Sequence, residues 1–433
     1  MDINPDRLLG DLAELSTIGG RADGGVDRVA WGAADLRGRQ WLKGKLEAAG
    51  WHAFTDPALN VFGRASDVRR RRLLIGSHTD SVAAGGRLDG AYGVVAALEV
   101  VRVLAETADP AAEQVELVDF ADEEGVRFPC GYFGAKALTG ALDVQQLVGA
   151  GDVLREAGVE IADAQRASEH LQDVAGFIEL HIEQGPRLEA EHASVAVVSG
   201  ILGFDRYRID IGGRAGHGGT TPFELRHDPV QAAAAFVAEV PSIVRRIDDA
   251  GTATVGSLST EGGAINFVAP NAWLTLEVRQ PSTGTLAQAV AELRERLTAI
   301  CEAYGCRPSM ARHEGVADWK DGLQLAVEPA FSAPVAFDDR MVAAVERGCI
   351  EAGVTYRRMH AGTWHDAGIL AAHVPTAMIL VPSRGGVTHA PGEATADEDL
   401  VNGARVLLRA TRHAARTVGL AANRSIRQAS RPS

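Results

Sequence analysis

Short apolar runs recur along this chain, and several end in a residue able to ligate a metal ion. Leu73 to Ser77 reads as a buried strand followed at once by His78. After the Asp89-Gly90 turn, Val94, Val95, Ala97, Leu98, Val101 and Leu104 fall at helical spacing across Tyr92 to Leu104. Val115 to Phe120 is the next strand, with Ala121-Asp122-Glu123-Glu124-Gly125 as its exit loop, and Gly176 to Ile182 repeats the theme with His181 near its end. Strands alternating with helical patterns of ten or more residues predict an α/β unit. In open α/β sheets ligands gather outside the carboxyl ends of the strands, so these residues stand where a site forms.

At 433 residues the chain exceeds the roughly 250–300 residues at which a single core stops growing, so two structural units are expected. Around Asp205 the pattern changes. Arg206 to Ile211 alternates as a strand, Val230 to Ala238 is helical, Thr252 to Ser259 and Trp273 to Arg279 alternate again, Leu286 to Tyr304 is a long amphipathic helix, and a last strand follows Gly305. That order describes a compact two-layer α+β domain over residues 206–327. It is inserted into an α/β domain made of residues 1–205 and 328–433, a mixed sheet with helices on both faces. The larger domain resumes with helices Met341 to Ala352 and Ala367 to His373, strand Thr376 to Val381 and helix Asp397 to Val418. Both crossings are short hinges, and the segment from Ala421 to Ser433 is expected to fray.

With 57 acidic against 43 basic residues the formal net charge is −14, which argues against nucleic acid or an anionic membrane as partner. The run Arg69 to Arg72 is the one basic cluster, and without aromatic interleaving it reads as a solvated turn. The cysteines Cys130, Cys301, Cys306 and Cys349 are too few and too irregular for a disulfide framework. The polar N-terminus has no export signal, and no apolar stretch approaches the ~20 residues of a membrane span. A cytoplasmic protein is expected.

Five residues carry ligand chemistry in short contexts: His78 in Gly-Ser-His-Thr-Asp, Asp89 in Leu-Asp-Gly, Glu124 beside Glu123, His181 in His-Ile-Glu-Gln-Gly-Pro, and His389 in Thr-His-Ala-Pro. Hydrolysing an amide or ureide at neutral pH needs a nucleophile, a group that accepts and returns its proton, and positive charge beside the developing oxyanion. Two divalent ions sharing a carboxylate supply most of this. Imidazole and carboxylate ligands suit zinc first, with manganese or cobalt as alternatives. His78 and Asp80, two apart on a strand, face the same way, so Asp80 can orient the imidazole. Glu123 and Glu124 divide two tasks: one ligates and the other serves as general base.

The segments Gly76 to Val82, Gly86 to Gly90, Asp122 to Phe128, His181 to Pro186 and Pro382 to Pro391 resemble the hydantoinase/carbamoylase family of amidases, within the aminoacylase and carboxypeptidase-G-like metallopeptidases. The resemblance runs from about residue 8 to residue 415. It implies one metal on His78, Asp89 and His181, a second on Asp89, Glu124 and His389, and Glu123 as general base. The inserted domain would be the family's lid and dimerisation domain, making the protein a homodimer. His217, in the glycine-rich stretch Gly212 to Pro222, would stabilise the oxyanion from the partner subunit. Asn266 and Arg279 match an Asn-x-Val…Arg signature in which the amide holds the ureide or carboxylate and the guanidinium clamps the carboxylate, and Gln184 is a further substrate contact. Lid closure would bring His217, Asn266 and Arg279 onto the substrate. His365 and Asp366 are candidates for supporting the ligands.

The chain departs from the family at Ala269-Pro270, where Pro-Gly is usual, at Gly218 and Phe223 near His217, and at Trp364, where a small residue is usual. Trp364 either packs in the core or narrows the pocket. The implied activity is hydrolysis of the C–N bond of an N-carbamoyl carboxylic acid, such as an N-carbamoyl-L-amino acid, allantoate or N-carbamoyl-β-alanine, with release of ammonia and CO₂. An aminoacylase or dipeptidase with the same metals is the nearest alternative, and a non-catalytic binding protein is the alternative of another class.

Overall fold

The computed structural model describes residues 2–128, 130–147, 149–313, 315–318 and 324–429. The chain forms two compact units, Met1–Gly200 with Ala336–Ser433, and Ile201–Val335.

The larger unit holds strands β1 (His52–Thr55), β2 (Val61–Arg64), β3 (Arg72–His78), β4 (Val115–Phe120), β5 (Val174–Ile182) and β6 (Val195–Ile201), with Tyr356–Ala361 and Thr376–Val381 from the returning chain. Across the sheet the order is β1, β2, β4, β3, β5, Thr376–Val381, β6. The four central strands β4, β3, β5 and Thr376–Val381 are mutually parallel, and β2 and β6 flank them antiparallel. Every residue of those four is buried. A sheet covered on both faces needs continuous apolar strands, which is why these runs were legible without alternation. Helices Ala91–Glu106, Asp339–Ala352 and Asp397–Ala429 pack against this sheet.

The inserted unit is built on two ten-residue antiparallel strands, β7 (Gly203–Gly212) and β8 (Asn271–Gln280), paired along their whole length. Burial alternates along β8, so one face is covered and the other is open. Helices Pro229–Ile247 and Thr283–Ala303 supply the cover, with Phe236, Leu293 and Leu297 meeting Ile209, Leu274 and Leu276 in the core. Both helices begin on strong caps: Asp228 accepts from Val230 and Gln231 with Pro229 in the first turn, and Ser282 forms a capping box with Thr285.

The compact unit is wider than the 206–327 read from the pattern, because β7 starts at Gly203 and Phe331–Ser332 pairs with that start. The expected strand Thr252 to Ser259 is two strands, Thr252–Thr254 and Leu258–Glu261, parted around Gly256. The expected helix Ala367 to His373 is Asp366–Leu370, and Pro375 follows shortly. The last helix continues to Ala429, through most of the segment expected to fray, since no glycine or proline interrupts Ala421 to Ala429; the final four residues lie outside the described ones. Among the described residues no helix is long and apolar enough to cross a membrane.

Gly76 marks the tightest contact in the central sheet, for a Cβ there would lie 1.8 Å from the carbonyl oxygen of Val118 on β4. Gly76→Ala should therefore destabilise the protein by about 2–3 kcal/mol in denaturant unfolding. Gly44→Ala, on the exposed face of helix Ala33–Ala48 where a Cβ meets nothing within 4 Å, should be neutral or stabilising. Equal stability of the two variants would contradict the β3–β4 packing.

Candidate metal centre

The carboxyl ends of the four parallel strands each deliver one ligand segment. β3 ends at His78, β4 leads into Glu123 and Glu124, β5 carries His181, and Thr376–Val381 leads to His389. Asp89 comes from the turn before helix Ala91–Glu106. These residues form two triads, His78–Asp89–His181 and Asp89–Glu124–His389, each with its ligand atoms within 4.8 Å of one another. Asp89 faces both. Its Oδ1 lies 2.9 Å from His181 Nε2 and 3.8 Å from His78 Nε2, and its Oδ2 lies 3.0 Å from His389 Nε2. Gly90 permits the crowding: its φ is 61°, and a Cβ would fall 2.3 Å from the His78 ring.

The tautomers are set by the backbone. His78 Nδ1 is 3.1 Å from the carbonyl of Asp80, and His181 Nδ1 is 2.9 Å from that of Ile182. A carbonyl only accepts, so each Nδ1 carries a proton and each Nε2 faces inward toward Asp89. Glu123 stands outside both triads with Oε2 3.7 Å from His78 Nε2. Burial pushes Glu123 well above the ordinary carboxylate range, against the pull of His78 and with repulsion from Glu124. Burial, then Asp89, pushes Glu124 up to about 7, and its buried Oε1 has no hydrogen-bond partner. The hydrogen bond to Asp89 pushes His389 up to about 9. Imidazole nitrogens turned inward, mutually repelling carboxylates and an orphaned carboxylate oxygen are a donor set suited to two divalent cations.

Buried groups behind the ligands hold them in place. The Asp80 carboxylate accepts from the amides of Glu123 and Glu124, both at 3.2 Å, and lies 3.6 Å from His78 Nδ1, so it fixes the glutamate turn as well as facing the imidazole. Arg39 links Asp35 (3.0 Å) and Asp119 (3.1 Å) and donates to the carbonyl of Phe120, with Asp80 4.0 Å away. Glu393 accepts from the amides of Leu88 (2.8 Å) and Asp89 (3.0 Å). The His365 ring packs 4.4 Å from that of His181, and burial with repulsion from His181 keeps it well below the ordinary imidazole range and neutral. Asp366 is fully buried without a hydrogen-bond partner, and burial beside Glu179 pushes it well above the usual carboxylate range. Arg39 and Glu393 were missed from sequence, since nothing local marks either.

Asp89, Glu123, Glu124 and His389 open onto a cavity of about 120 Å³. Its other walls include Tyr132, Gln184 and Trp364. Gln184 Nε2 donates to Asp89 Oδ2 at 2.8 Å. In the inserted unit a two-residue ladder, Gly216–His217 against Phe267–Val268, brings His217 beside Asn266, whose carbonyl accepts from Gly218 at 2.7 Å. Arg279 is elsewhere. It sits near the far end of β8, its Nε donating to Glu277 (2.7 Å) and its guanidinium 5.3 Å from the Phe204 ring centroid. From Asn271 to Arg279 an extended strand covers about 27 Å. Within one inserted unit β8 therefore holds Arg279 apart from the end at which His217 and Asn266 lie.

The model of peptidase family M20/M25/M40 matches residues 74–413. An N-carbamoyl-L-amino-acid amidohydrolase of Paenarthrobacter aurescens is 34% identical over 93% of this chain and 96% of its own, and an allantoate amidohydrolase of Escherichia coli (strain K12) is 31% identical over 92% and 94%. A crystal structure of a hydantoinase/carbamoylase family amidase from Burkholderia ambifaria superposes with a TM-score of 0.81 at 30% identity, covering 95% of this chain and 96% of that one. The chain belongs to the M20/M25/M40 peptidases, in their hydantoinase/carbamoylase branch of amidases.

Glu393 holds the backbone that carries the shared carboxylate, so Glu393→Ala should loosen metal retention. Titration against a chelator is expected to show roughly 10–100-fold weaker binding. Unchanged retention would remove Glu393 from this role.

Proposed function

We propose that this protein is a metal-dependent amidohydrolase that hydrolyses the C–N bond of an N-carbamoyl carboxylic acid, releasing ammonia and CO₂ with the free amine. The observation that carries the reading is the pair of triads sharing Asp89, with Glu123 beside them and outside both. The substrate class is that of the relatives, whose names specify N-carbamoyl-L-amino acids and allantoate; N-carbamoyl-β-alanine has the same ureide and carboxylate. Zinc is the proposed metal, with manganese and cobalt compatible with the same donors.

Two divalent ions on His78, Asp89, His181, Glu124 and His389 would polarise the carbonyl and acidify water. Glu123 takes the proton from the attacking water and returns it to the departing nitrogen, a task suited to a buried carboxyl that holds a proton readily. Gln184 contacts the ureide. His217 and Asn266 contact the carbonyl and ureide, and Arg279 pairs the substrate carboxylate in bidentate fashion.

The length of β8 favours a homodimer in which the two groups of contacts on one substrate come from different subunits. His217 and Asn266 would then come from one subunit and Arg279 from the other. The inserted unit, as lid and dimerisation domain, would carry both. All four cysteines are buried and unpaired, which suits a cytoplasmic location.

The direct test is ammonia release from the three ureide classes alongside N-acetyl and dipeptide substrates, with zinc, manganese and cobalt supplied separately. Ammonia from ureides supports the reading; cleavage of acyl or peptide bonds alone favours an aminoacylase or dipeptidase. Glu123→Gln should keep both metals and lose about 10²–10⁴-fold in kcat. A variant that stays active removes Glu123 from proton transfer. For the dimer, inactive Glu123→Gln and His217→Ala subunits should regain activity at one of the two sites in a heterodimer, about half the wild-type rate. No recovery in verified heterodimers would place His217 in its own chain's site.

A further inference from the structure

Besides the Glu124 oxygen, two buried polar atoms in the walls of the metal-centre cavity have no hydrogen-bond partner: the indole Nε1 of Trp364 and the Oε1 of Gln184. One is a donor only and the other an acceptor only. The Gln184 assignment is fixed by its Nε2, which donates to the Asp89 carboxylate. Leaving such atoms unpaired away from water is costly, so each marks a place where a ligand's polar group completes the site.

The wall that carries them is held firmly. The Trp364 backbone adjoins His365, packed on His181, and Ala367, whose amide donates to Glu179 at 2.8 Å. Tyr132, with its ring 6.5 Å from the Trp364 ring, donates its amide to the carbonyl of Glu123 at 2.8 Å. The two aromatic rings are thus tied to the ligand segments themselves, and the space between them and the carboxylates is small.

We infer that Trp364 is the specificity-determining residue for the group carried by the reacting carbonyl carbon. The inference rests on the carbamoyl reading above, in which residues of the inserted unit take the carboxylate, so the carbamoyl end is the part this cavity holds. A –CO–NH₂ terminus presents one acceptor and one donor. The indole N–H donates to its oxygen, the Gln184 oxygen accepts from its NH₂, and the indole ring leaves no room for a longer acyl chain. An N-acetyl group fills similar space but leaves the Gln184 oxygen unpaired, and an N-butyryl group does not fit.

The test uses N-carbamoyl, N-acetyl and N-butyryl derivatives of one L-amino acid with the metal-loaded wild type, Trp364→Phe and Trp364→Ala, each checked for two-metal content and unchanged Tm. Trp364→Phe keeps the bulk and removes the donor to the carbonyl oxygen, and should lower kcat/KM about 10-fold for N-carbamoyl and N-acetyl alike, with N-butyryl still not cleaved. Trp364→Ala should raise N-butyryl relative to N-acetyl about 10-fold or more. Trp364→Phe without loss on N-carbamoyl and N-acetyl, or Trp364→Ala with an unchanged N-butyryl to N-acetyl ratio, would overturn the assignment. The same ratios read as dissociation constants in the Glu123→Gln background decide the matter without turnover. A wild type that cleaves the N-acyl compounds but no ureide would sink the functional reading and with it the donor–acceptor pairing. The size limit would then stand if Trp364→Ala gains on N-butyryl, and fall if it does not.

Discussion

One carboxylate organises the metal centre. Asp89 turns one oxygen to His181 and the other to His389, with His78 close behind. Three imidazoles from three distant parts of the chain converge on it only because β3, β5 and Thr376–Val381 run parallel and adjacent, so their carboxyl ends emerge together. Burial opposes the charge on Asp89, but the hydrogen bonds to His181 and His389 outweigh it and hold the group well below the usual carboxylate range. An ionised, shared carboxylate is what a two-cation site needs between its ions.

Concentrating carboxylates in so little space requires support behind them. Removing one partner of a buried ion pair typically costs about 3–5 kcal/mol, because the other charge is left stranded. Arg39 carries that burden for Asp35 and Asp119 at once, and through Phe120 and Asp80 it borders the turn that presents Glu123 and Glu124. Glu393 does the corresponding work for the Asp89 turn by accepting two backbone amides. The candidate ligands are therefore set by a second layer of charges behind them.

What was legible in the sequence follows from range. Strands Val115–Phe120 and Thr376–Val381 were read to the residue, because strands buried on both faces are rich in apolar residues, with Glu116 and Asp119 the exceptions in the first. The ligand residues stood out for the same reason, being polar groups at those ends. Arg39 and Glu393 did not. Arg39 lies in an ordinary helical stretch 80 residues from Asp119, and Glu393 meets the Asp89 amide from 304 residues away. Only the folded chain brings Arg39 to Asp119 or Glu393 to the Asp89 amide.

The same limit applies to the substrate contacts, with a different outcome. Asn266 and Arg279 are thirteen positions apart in sequence, a spacing that invites a single shared pocket. Eight of the intervening steps are straight β8, and a paired strand cannot fold back on itself. The inserted unit thus works as a ruler, holding apart two sets of residues that are proposed to meet one small substrate. On the proposed reading a second copy of the chain would resolve the conflict without bending the strand, because two-fold symmetry lets the far end of one ruler serve the near end of the other. The dimer would then complete the active site, and the cavity beside Trp364 is the part each chain builds alone.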